Sequence, residues 1–184
     1  MICELETKRL HLRPIQLSDA SATQALFPRW EIVKHLNSRV PWPYPENGAF
    51  NHYRDILLPA MAREEEWHWG LWLKGGPHHL IGAISLMKGD HGNRGFWLGL
   101  PWQGKGLMTE ATEAVNEYWF DVLRFPILRA PKAVTNHASR RISEKNGMRI
   151  VATEEREYVA GKAVTEVWAI TAEEWRSRRG KQSS

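Results

Sequence analysis

One segment constrains this chain more than any other, because a strand-like run passes through a glycine-rich turn directly into a helical pattern. It reads Gly95-Phe-Trp-Leu-Gly-Leu-Pro-Trp-Gln-Gly-Lys-Gly-Leu-Met-Thr-Glu-Ala111. From Leu107 to Val122 apolar residues recur at helical spacing, with glutamates on the opposite side. Gly104 and Gly106 allow close approach of a ligand to the backbone, and a helix start presents unpaired N–H groups. The turn therefore predicts a site for an anionic group, to which Lys105 adds positive charge.

The remaining chain alternates between strand and helix patterns without a repeat or a linker. Strands are predicted at residues 9–15, 67–74, 80–87, 95–99, within 126–134, at 149–158 and at 163–171, and helices at 20–26, 46–66, 107–122 and 137–146. Pro59 should kink or split the second helix. Tight turns such as Gly75-Gly76-Pro77 favour antiparallel pairing. The predicted fold class is mixed α/β (α+β), a largely antiparallel central sheet flanked by helices, in one domain over residues 1–184 with its core at about 7–171.

Composition excludes several classes of protein. No run approaches the roughly 20 apolar residues of a membrane span, and no export signal precedes the first strand. Cys3 is the only cysteine, which favours a reducing compartment, so we expect a cytoplasmic protein without a membrane partner. The net charge of +4 is spread along the chain except at a basic tail of about 176–184, which we expect to be solvated. We therefore predict no specific nucleic-acid partner and attribute the excess charge to an anionic small ligand.

The glycine-rich segment resembles the GNAT superfamily of N-acetyltransferases, in particular its ribosomal-protein N-terminal acetyltransferase branch. That family's pyrophosphate motif is matched by Gln103, Gly106 and Met108, although Met108 is larger than the usual last residue. The opening residues 5–14 and the closing residues 168–175 are also similar to that branch. The resemblance implies splayed central strands, acetyl-coenzyme A as co-substrate, and direct transfer of the acetyl group to a primary amine of a small molecule or a protein N-terminus.

The resemblance also implies which residues bind the co-substrate. These lie on the splayed strand, on the turn and before the following short helix: Trp97, Leu98, Gly99, Gln103, Gly104, Lys105, Gly106, Leu107, Met108, Asn136 and Ser139. Asn136 can equally be read as a helix cap.

Catalytic residues are harder to assign, because many members carry a tyrosine acid where this chain has Ser143. The resemblance favours Ser139 as the acid that protonates the leaving thiolate, with Ser143 as the alternative. Backbone N–H groups near Leu98 and Gly99 are candidates to polarise the thioester carbonyl. The base is open among Glu157, Glu166 and water, and both glutamates are also readable as surface residues.

A loop with three prolines within five residues carries Trp42 and Tyr44, which we expect to contact the acceptor. We predict no metal site, because the pair His78-His79 lies in a turn without a third ligand. The protein is expected to be a monomer or a homodimer. The main alternative is a non-catalytic acyl-coenzyme A binding or sensing domain, and a weaker one is a nucleic-acid-binding module.

Overall fold

A computed structural model describes the backbone of residues 2–182 and the side chains of residues 2–180. The strands form two sheets in which every described pairing is antiparallel. The first sheet has the order β1 (Leu5–Glu6), β2 (Leu10–Pro14), β3 (Glu66–Leu73), β4 (Gly82–Met87) and β5 (Arg94–Leu98). The second has the order β6 (Ile127–Ala133), β8 (Gly161–Thr171) and β7 (Arg149–Tyr158).

The two sheets meet where β5 and β6 begin. The Asn93 N–H donates to the Arg129 carbonyl oxygen at 2.7 Å, and the Arg129 N–H donates to Asn93 Oδ1 at 2.8 Å. Beyond this point the strands belong to different sheets, and no ladder joins them within residues 2–182. The predicted mixed fold with splayed central strands is confirmed, and the gap between β5 and β6 opens toward their C-terminal ends.

Helices cover both faces of this arrangement. They are α1 (Ala20–Leu26), α2 (Trp30–Val33), α3 (Gly48–His52), α4 (Leu58–Ala62), α5 (Leu107–Glu117), α6 (His137–Lys145) and α7 (Ala172–Gln182). The π-helical turn Tyr53–Leu57 joins α3 to α4 without a break in the helical backbone, and Pro59, which has no N–H to donate, follows this wider turn. None of these helices is long and apolar enough to cross a bilayer.

The alternation of β3 places its residues on two different faces. Trp67, Trp69 and Leu71 are buried against α5 in the main core. Glu66 and His68 point to the opposite face, which α1 and α3 cover. The tryptophan-rich composition is therefore explained partly by core packing, as in the edge-to-face contact of Trp67 with Trp119 at 6.5 Å.

Two helices differ in detail from the sequence expectation. Val122 is 59% exposed, because α5 passes into the π-helical turn Tyr118–Val122 and the 3.6-residue spacing ends there. The basic tail is helical over residues 176–180, and it follows Trp175, which α7 buries to 1% exposure, while Arg176 is exposed. Arg178 donates to both Glu113 carboxylate oxygens at 2.8 and 2.9 Å. The side chain of Lys181 lies outside the described residues.

Candidate functional site

The glycine-rich turn after β5 has a backbone that glycine alone adopts readily. Gly104 and Gly106 have φ values of +73° and +75°, in the left-handed region. Gly106 caps the N-terminus of α5, so the N–H groups of Leu107, Met108 and Thr109 have no acceptor inside the helix. A Cβ on Gly104 would meet nothing within 4 Å, so the space beside the turn is open. The turn thus offers N–H donors and the positive end of a helix dipole to an anion.

Contacts from two directions, the end of β5 and Arg9, fix the turn in place. Gln103 Nε2 donates to the Leu98 carbonyl oxygen at 2.8 Å and so ties the turn to the end of β5. Arg9 Nη1 donates to the Lys105 carbonyl oxygen at 2.9 Å, and Arg9 Nε donates to Glu110 Oε2 at 2.7 Å. Burial alone would raise the pKa of Glu110, but hydrogen bonds from Thr7 and Arg9 lower it, so its carboxylate is ionised at neutral pH.

A cavity of about 750 Å³ opens beside this turn, between the ends of β5 and β6. Its walls come from α2, β5, the turn and α6. Of the residues predicted to bind the co-substrate, those that line it are Trp97, Leu98, Gln103, Gly104, Gly106, Leu107, Met108, Asn136 and Ser139. Gly99 and Lys105 do not line it. The fold therefore brings two segments, residues 97–108 and 136–139, to one cavity, although they are some 30 positions apart in sequence.

The rim of this larger cavity is cationic, a feature that the sequence analysis missed. Lys34, Arg141 and Lys145 line it against a single acidic residue, Glu31. Partial burial, followed by the positive charge of Lys34, lowers the pKa of His35 on the same wall. The i, i+4 spacing of Arg141 and Lys145 on one helix was the available signal, because such residues share a face.

The start of α6 combines both interpretations of Asn136. Its Oδ1 accepts a hydrogen bond from the Ser139 N–H at 3.3 Å, which makes it the helix cap, and the residue also lines the larger cavity. Ser139 is half-buried on the same wall. Ser143, one turn later, is fully buried and accepts a short hydrogen bond from Lys132 Nζ. Ser143 lines neither cavity, so the structure favours Ser139 over it, and the role of either serine as the acid stays a prediction.

A second cavity of about 200 Å³ lies across β5 from the first, under α1 and α3. Leu36, Phe96 and Trp97 line both cavities, so the two spaces are separated only by this strand and its neighbours. The walls of the smaller cavity are largely apolar and aromatic, and its polar members are Thr23, Tyr44, His52, Tyr53, His68 and Ser85. The smaller cavity has the composition of a pocket for a small group with a few polar anchors.

The two residues predicted to contact the acceptor, Tyr44 and Trp42, lie in different places in the structure. Tyr44 lines the smaller cavity and packs edge to face on Phe27, with ring centroids 5.2 Å apart. Trp42 lines neither cavity, and its ring lies 5.6 Å from that of Trp30. Both tryptophans are 43% exposed and form a surface aromatic pair, and contact of Trp42 with an acceptor stays a prediction.

Other predicted groups are engaged elsewhere. The Gly99 N–H donates to the Ile81 carbonyl oxygen at 2.8 Å, which leaves Leu98 as the backbone candidate to polarise a carbonyl. Glu157 is exposed in the β7–β8 hairpin and lines neither cavity. Glu166 accepts from Arg140 Nε at 2.8 Å and from Trp168 Nε1 at 3.0 Å. Glu166, like Glu157, lines neither cavity, and a role for either glutamate as the base stays a prediction. Residues 2–180 contain no cluster of three His, Cys, Asp or Glu side chains that could hold a metal ion.

Comparison with known proteins identifies the family. A family model described as "Acetyltransferase (GNAT) domain" matches residues 9–149, most of the chain. The chain therefore belongs to the GNAT acetyltransferase family, and it is an acetyl-coenzyme A dependent N-acetyltransferase. It is 27% identical over 155 residues to "Probable N-acetyltransferase YjcK" of Bacillus subtilis, a match that covers 78% of this chain and 82% of that protein.

Solved structures of similar fold come from several bacteria. RimJ of Mycobacterium smegmatis, in complex with CoA-disulfide, superimposes with a TM-score of 0.79 at 18% identity, over 93% of this chain and 88% of that one. The ribosomal-protein-S5-alanine acetyltransferase of Vibrio fischeri has a TM-score of 0.79 at 17% identity, over 95% and 99% of the two chains. At these identities the likeness establishes the fold alone.

Proposed function

We propose that the larger cavity binds acetyl-coenzyme A, with its pyrophosphate on the turn from Gln103 to Met108. One observation carries this proposal: two left-handed glycines and the N-terminus of α5 open onto a cavity whose rim is cationic. The free N–H groups and the helix dipole suit a pyrophosphate, and Arg141 and Lys145 suit the remaining phosphate charge. A volume of about 750 Å³ lies within the usual range for cofactor sites.

The smaller cavity is the proposed site of the acceptor amine. It adjoins the larger cavity along Phe96 and Trp97, so an amine there and a thioester on the other side of β5 lie close together. This arrangement favours direct transfer, because both reactants are oriented on one strand without a covalent enzyme intermediate. A pocket of about 200 Å³ holds an amine with a short substituent. The acceptor class is therefore a protein N-terminus with a small first residue, or a small primary amine.

Three groups of this chain have roles in the proposed reaction. Bound acetyl-coenzyme A supplies the thioester that the amine attacks. The Leu98 N–H is the donor assigned to the thioester carbonyl oxygen, where negative charge develops. Ser139, on the wall of the larger cavity, donates the proton to the departing sulfur. Tyr44 and the rings around it exclude water from the acceptor side.

An acceptor panel tests this proposal directly. Purified protein would be mixed with acetyl-coenzyme A and, separately, with hexapeptides that begin with alanine or serine, with the same peptides blocked at the N-terminus, and with butylamine and spermidine. Free thiol would be measured. We expect thiol release with at least one free amine and none with the blocked peptides. Binding of acetyl-coenzyme A without turnover on any amine would instead support the non-catalytic binding or sensing alternative.

We also propose a cellular location and an oligomeric state, monomer or homodimer. A cytoplasmic location is supported by the single cysteine, Cys3, which is exposed and free. Light scattering after gel filtration would distinguish a monomer of about 21.3 kDa from a homodimer.

A further inference from the structure

One wall of the smaller cavity carries His68, which has no role in the proposed reaction above and is hydrogen-bonded to Glu66. His68 Nε2 lies 2.6 Å from Glu66 Oε2, and both side chains lie on the face of β3 that α1 and α3 cover. The side chain of His68 is only 14% exposed, and its ring lines the smaller cavity. The pair is thus a partly desolvated imidazole and carboxylate beside the proposed acceptor amine.

Glu66 fixes the protonation pattern of this imidazole. The hydrogen bond from His68 lowers the pKa of Glu66, against the opposing effect of burial, so the carboxylate is ionised at neutral pH. An ionised carboxylate can only accept, so Nε2 of neutral His68 carries the proton and Nδ1 keeps its lone pair. No hydrogen bond to Nδ1 occurs within the part of the chain that the structure describes. His68 therefore has a free basic nitrogen.

Strand register directs this imidazole toward the reaction site. His68 is opposite Ser85 on β4, and Ser85 is opposite Gly95 on β5, so the three residues form a row across one face of the sheet. All three line the smaller cavity, as does Trp97, two residues beyond Gly95. Two strand spacings amount to about 10 Å, and residues from β3, β4 and β5 all line the smaller cavity, so the proposed amine is assigned to the space between the imidazole and β5.

We infer that His68, oriented by Glu66, accepts the proton that the acceptor amine loses, an assignment that rests on the proposed function. The amine nitrogen forms a bond to the acetyl carbon while the carbon–sulfur bond breaks. The proton on that nitrogen moves to His68 Nδ1, and the departing sulfur takes the proton of Ser139. His68 then releases its proton to water, and Ser139 regains one, so each turnover consumes the thioester and amine and yields the amide and the thiol.

Other titratable groups around His68 have different roles. His52 and Tyr53 face the cavity from the α3 side, and Tyr53 Oη is paired with Thr23 Oγ1 at 2.7 Å. Burial raises the pKa of Tyr53, so it stays a phenol. Glu65, next to Glu66, is exposed and paired with Arg63. The β4 and β5 residues that line the cavity, including Ser85, Gly95 and Trp97, have no acidic or basic side chain. His52 is therefore the rival base.

The test compares His68→Gln with His52→Gln and His11→Gln. The substrates are acetyl-coenzyme A and the alanine and serine hexapeptides. We expect His68→Gln to lower kcat by about 100-fold or more near neutral pH, with calorimetric affinity for acetyl-coenzyme A unchanged. The difference in kcat between His68→Gln and wild type should become smaller as pH rises toward about 9, because hydroxide then replaces the imidazole as the base. Glu66→Gln should give a smaller loss. His11→Gln is the matched control, since His11 pairs with Glu6 at 3.0 Å on the same sheet but lines neither cavity.

Two results would overturn the assignment while the proposed function stands. The first is turnover by His68→Gln that equals wild type across the pH range, or a loss that moves to His52→Gln. The second needs no acceptor: nitrogen NMR of the labelled imidazole should show the proton of His68 on Nε2, and a proton on Nδ1 would remove the lone pair that the step requires. Loss of acetyl-coenzyme A binding in the wild-type protein would instead refute the proposed function.

Discussion

Ser139 and Ser143 lie one turn apart on α6, yet Ser139 lines the larger cavity while Ser143 is fully buried against Lys132. The same hydroxyl group therefore has two different surroundings on one helix. We expect Ser139→Ala to lower kcat by about 100-fold to 10,000-fold, because a general acid contributes that much to a rate. The affinity for acetyl-coenzyme A should fall only by the value of one neutral hydrogen bond, about 0.5–1.5 kcal/mol.

Ser143→Ala is the control for that experiment. It removes the acceptor of Lys132 Nζ, which leaves a buried amine without its partner, so the free energy of unfolding should fall by about 1–3 kcal/mol. Turnover by the folded protein should remain. Unfolding curves and single-turnover rates separate the two variants, and a Ser143→Ala protein that is fully stable but inactive would reverse the assignment.

The contacts of Arg9 predict an effect on binding from a residue outside the cavity. Arg9→Ala removes the hydrogen bond to the Lys105 carbonyl oxygen and the ion pair with Glu110, so the turn should become more mobile and bind acetyl-coenzyme A several-fold more weakly. The loss in stability should stay below about 1 kcal/mol, because the Arg9 side chain is 43% exposed. Arg149→Ala is matched, since Arg149 pairs with Glu174 at 2.8 Å, far from the turn. Equal affinities of Arg9→Ala and Arg149→Ala for acetyl-coenzyme A would show that the contacts of Arg9 do not contribute to binding.

Lys132 predicts a dependence of stability on pH. Burial holds its pKa well below the ordinary 10.5, and the positive charge of Arg94 adds to that effect. Between the folded pKa and 10.5 the unfolded chain binds more protons than the folded one, so this lysine makes stability rise with pH. The penalty is fully present below the folded pKa.

Lys132→Met removes that penalty along with the amine. The stability of Lys132→Met relative to wild type should therefore decrease as pH rises from about 6 to 9, as measured by urea unfolding. Lys162→Met is the comparison, because Lys162 is exposed in the β7–β8 hairpin, and its difference from wild type should stay constant. A constant difference for Lys132→Met as well would show that the buried amine keeps an ordinary pKa.

Much of the fold was predictable because it depends on local patterns. The alternation in β3 and β4, the helical spacing of α5 and the left-handed glycines of the turn each follow from a few consecutive residues. α7 was not predictable in this way. Its one buried aromatic, Trp175, gives no periodic apolar stripe, and the helix is held by long-range pairs such as that of Arg178 with Glu113.

The candidate site also combines features that follow from local sequence with features that depend on long-range contacts. The turn from Gln103 to Met108 is a local motif, so sequence was sufficient to propose it. The Arg9–Glu110 pair joins residues 101 positions apart, and no local pattern announces it. The pairing of His68 with Glu66 is local, but its position beside a cavity depends on how α1 and α3 pack over β3. A local sequence pattern therefore points to the proposed co-substrate site, whereas none points to the smaller cavity.

The proposed pyrophosphate site requires a residue without a side chain at Gly106. Gly106→Asp places a carboxylate where phosphate should lie, in a left-handed conformation with φ of +75°. Gly75→Asp is the matched control, because Gly75 has φ of +71° in the β3–β4 hairpin and a Cβ there meets nothing within 4 Å. Both variants incur similar backbone strain, on the order of 1–2 kcal/mol. They differ in their surroundings, because the new side chain at position 106 lies beside the larger cavity, with its Cβ 3.5 Å from Arg9 Nη2, whereas position 75 has no such neighbour.

Calorimetric titration of acetyl-coenzyme A into wild type, Gly106→Asp and Gly75→Asp is the most direct test of the account. We predict saturable binding to wild type and to Gly75→Asp with the same affinity, and a loss of at least about tenfold, or 1.4 kcal/mol, for Gly106→Asp. Equal affinity of all three proteins, or no heat with folded wild type at millimolar co-substrate, would contradict the placement of acetyl-coenzyme A in this cavity.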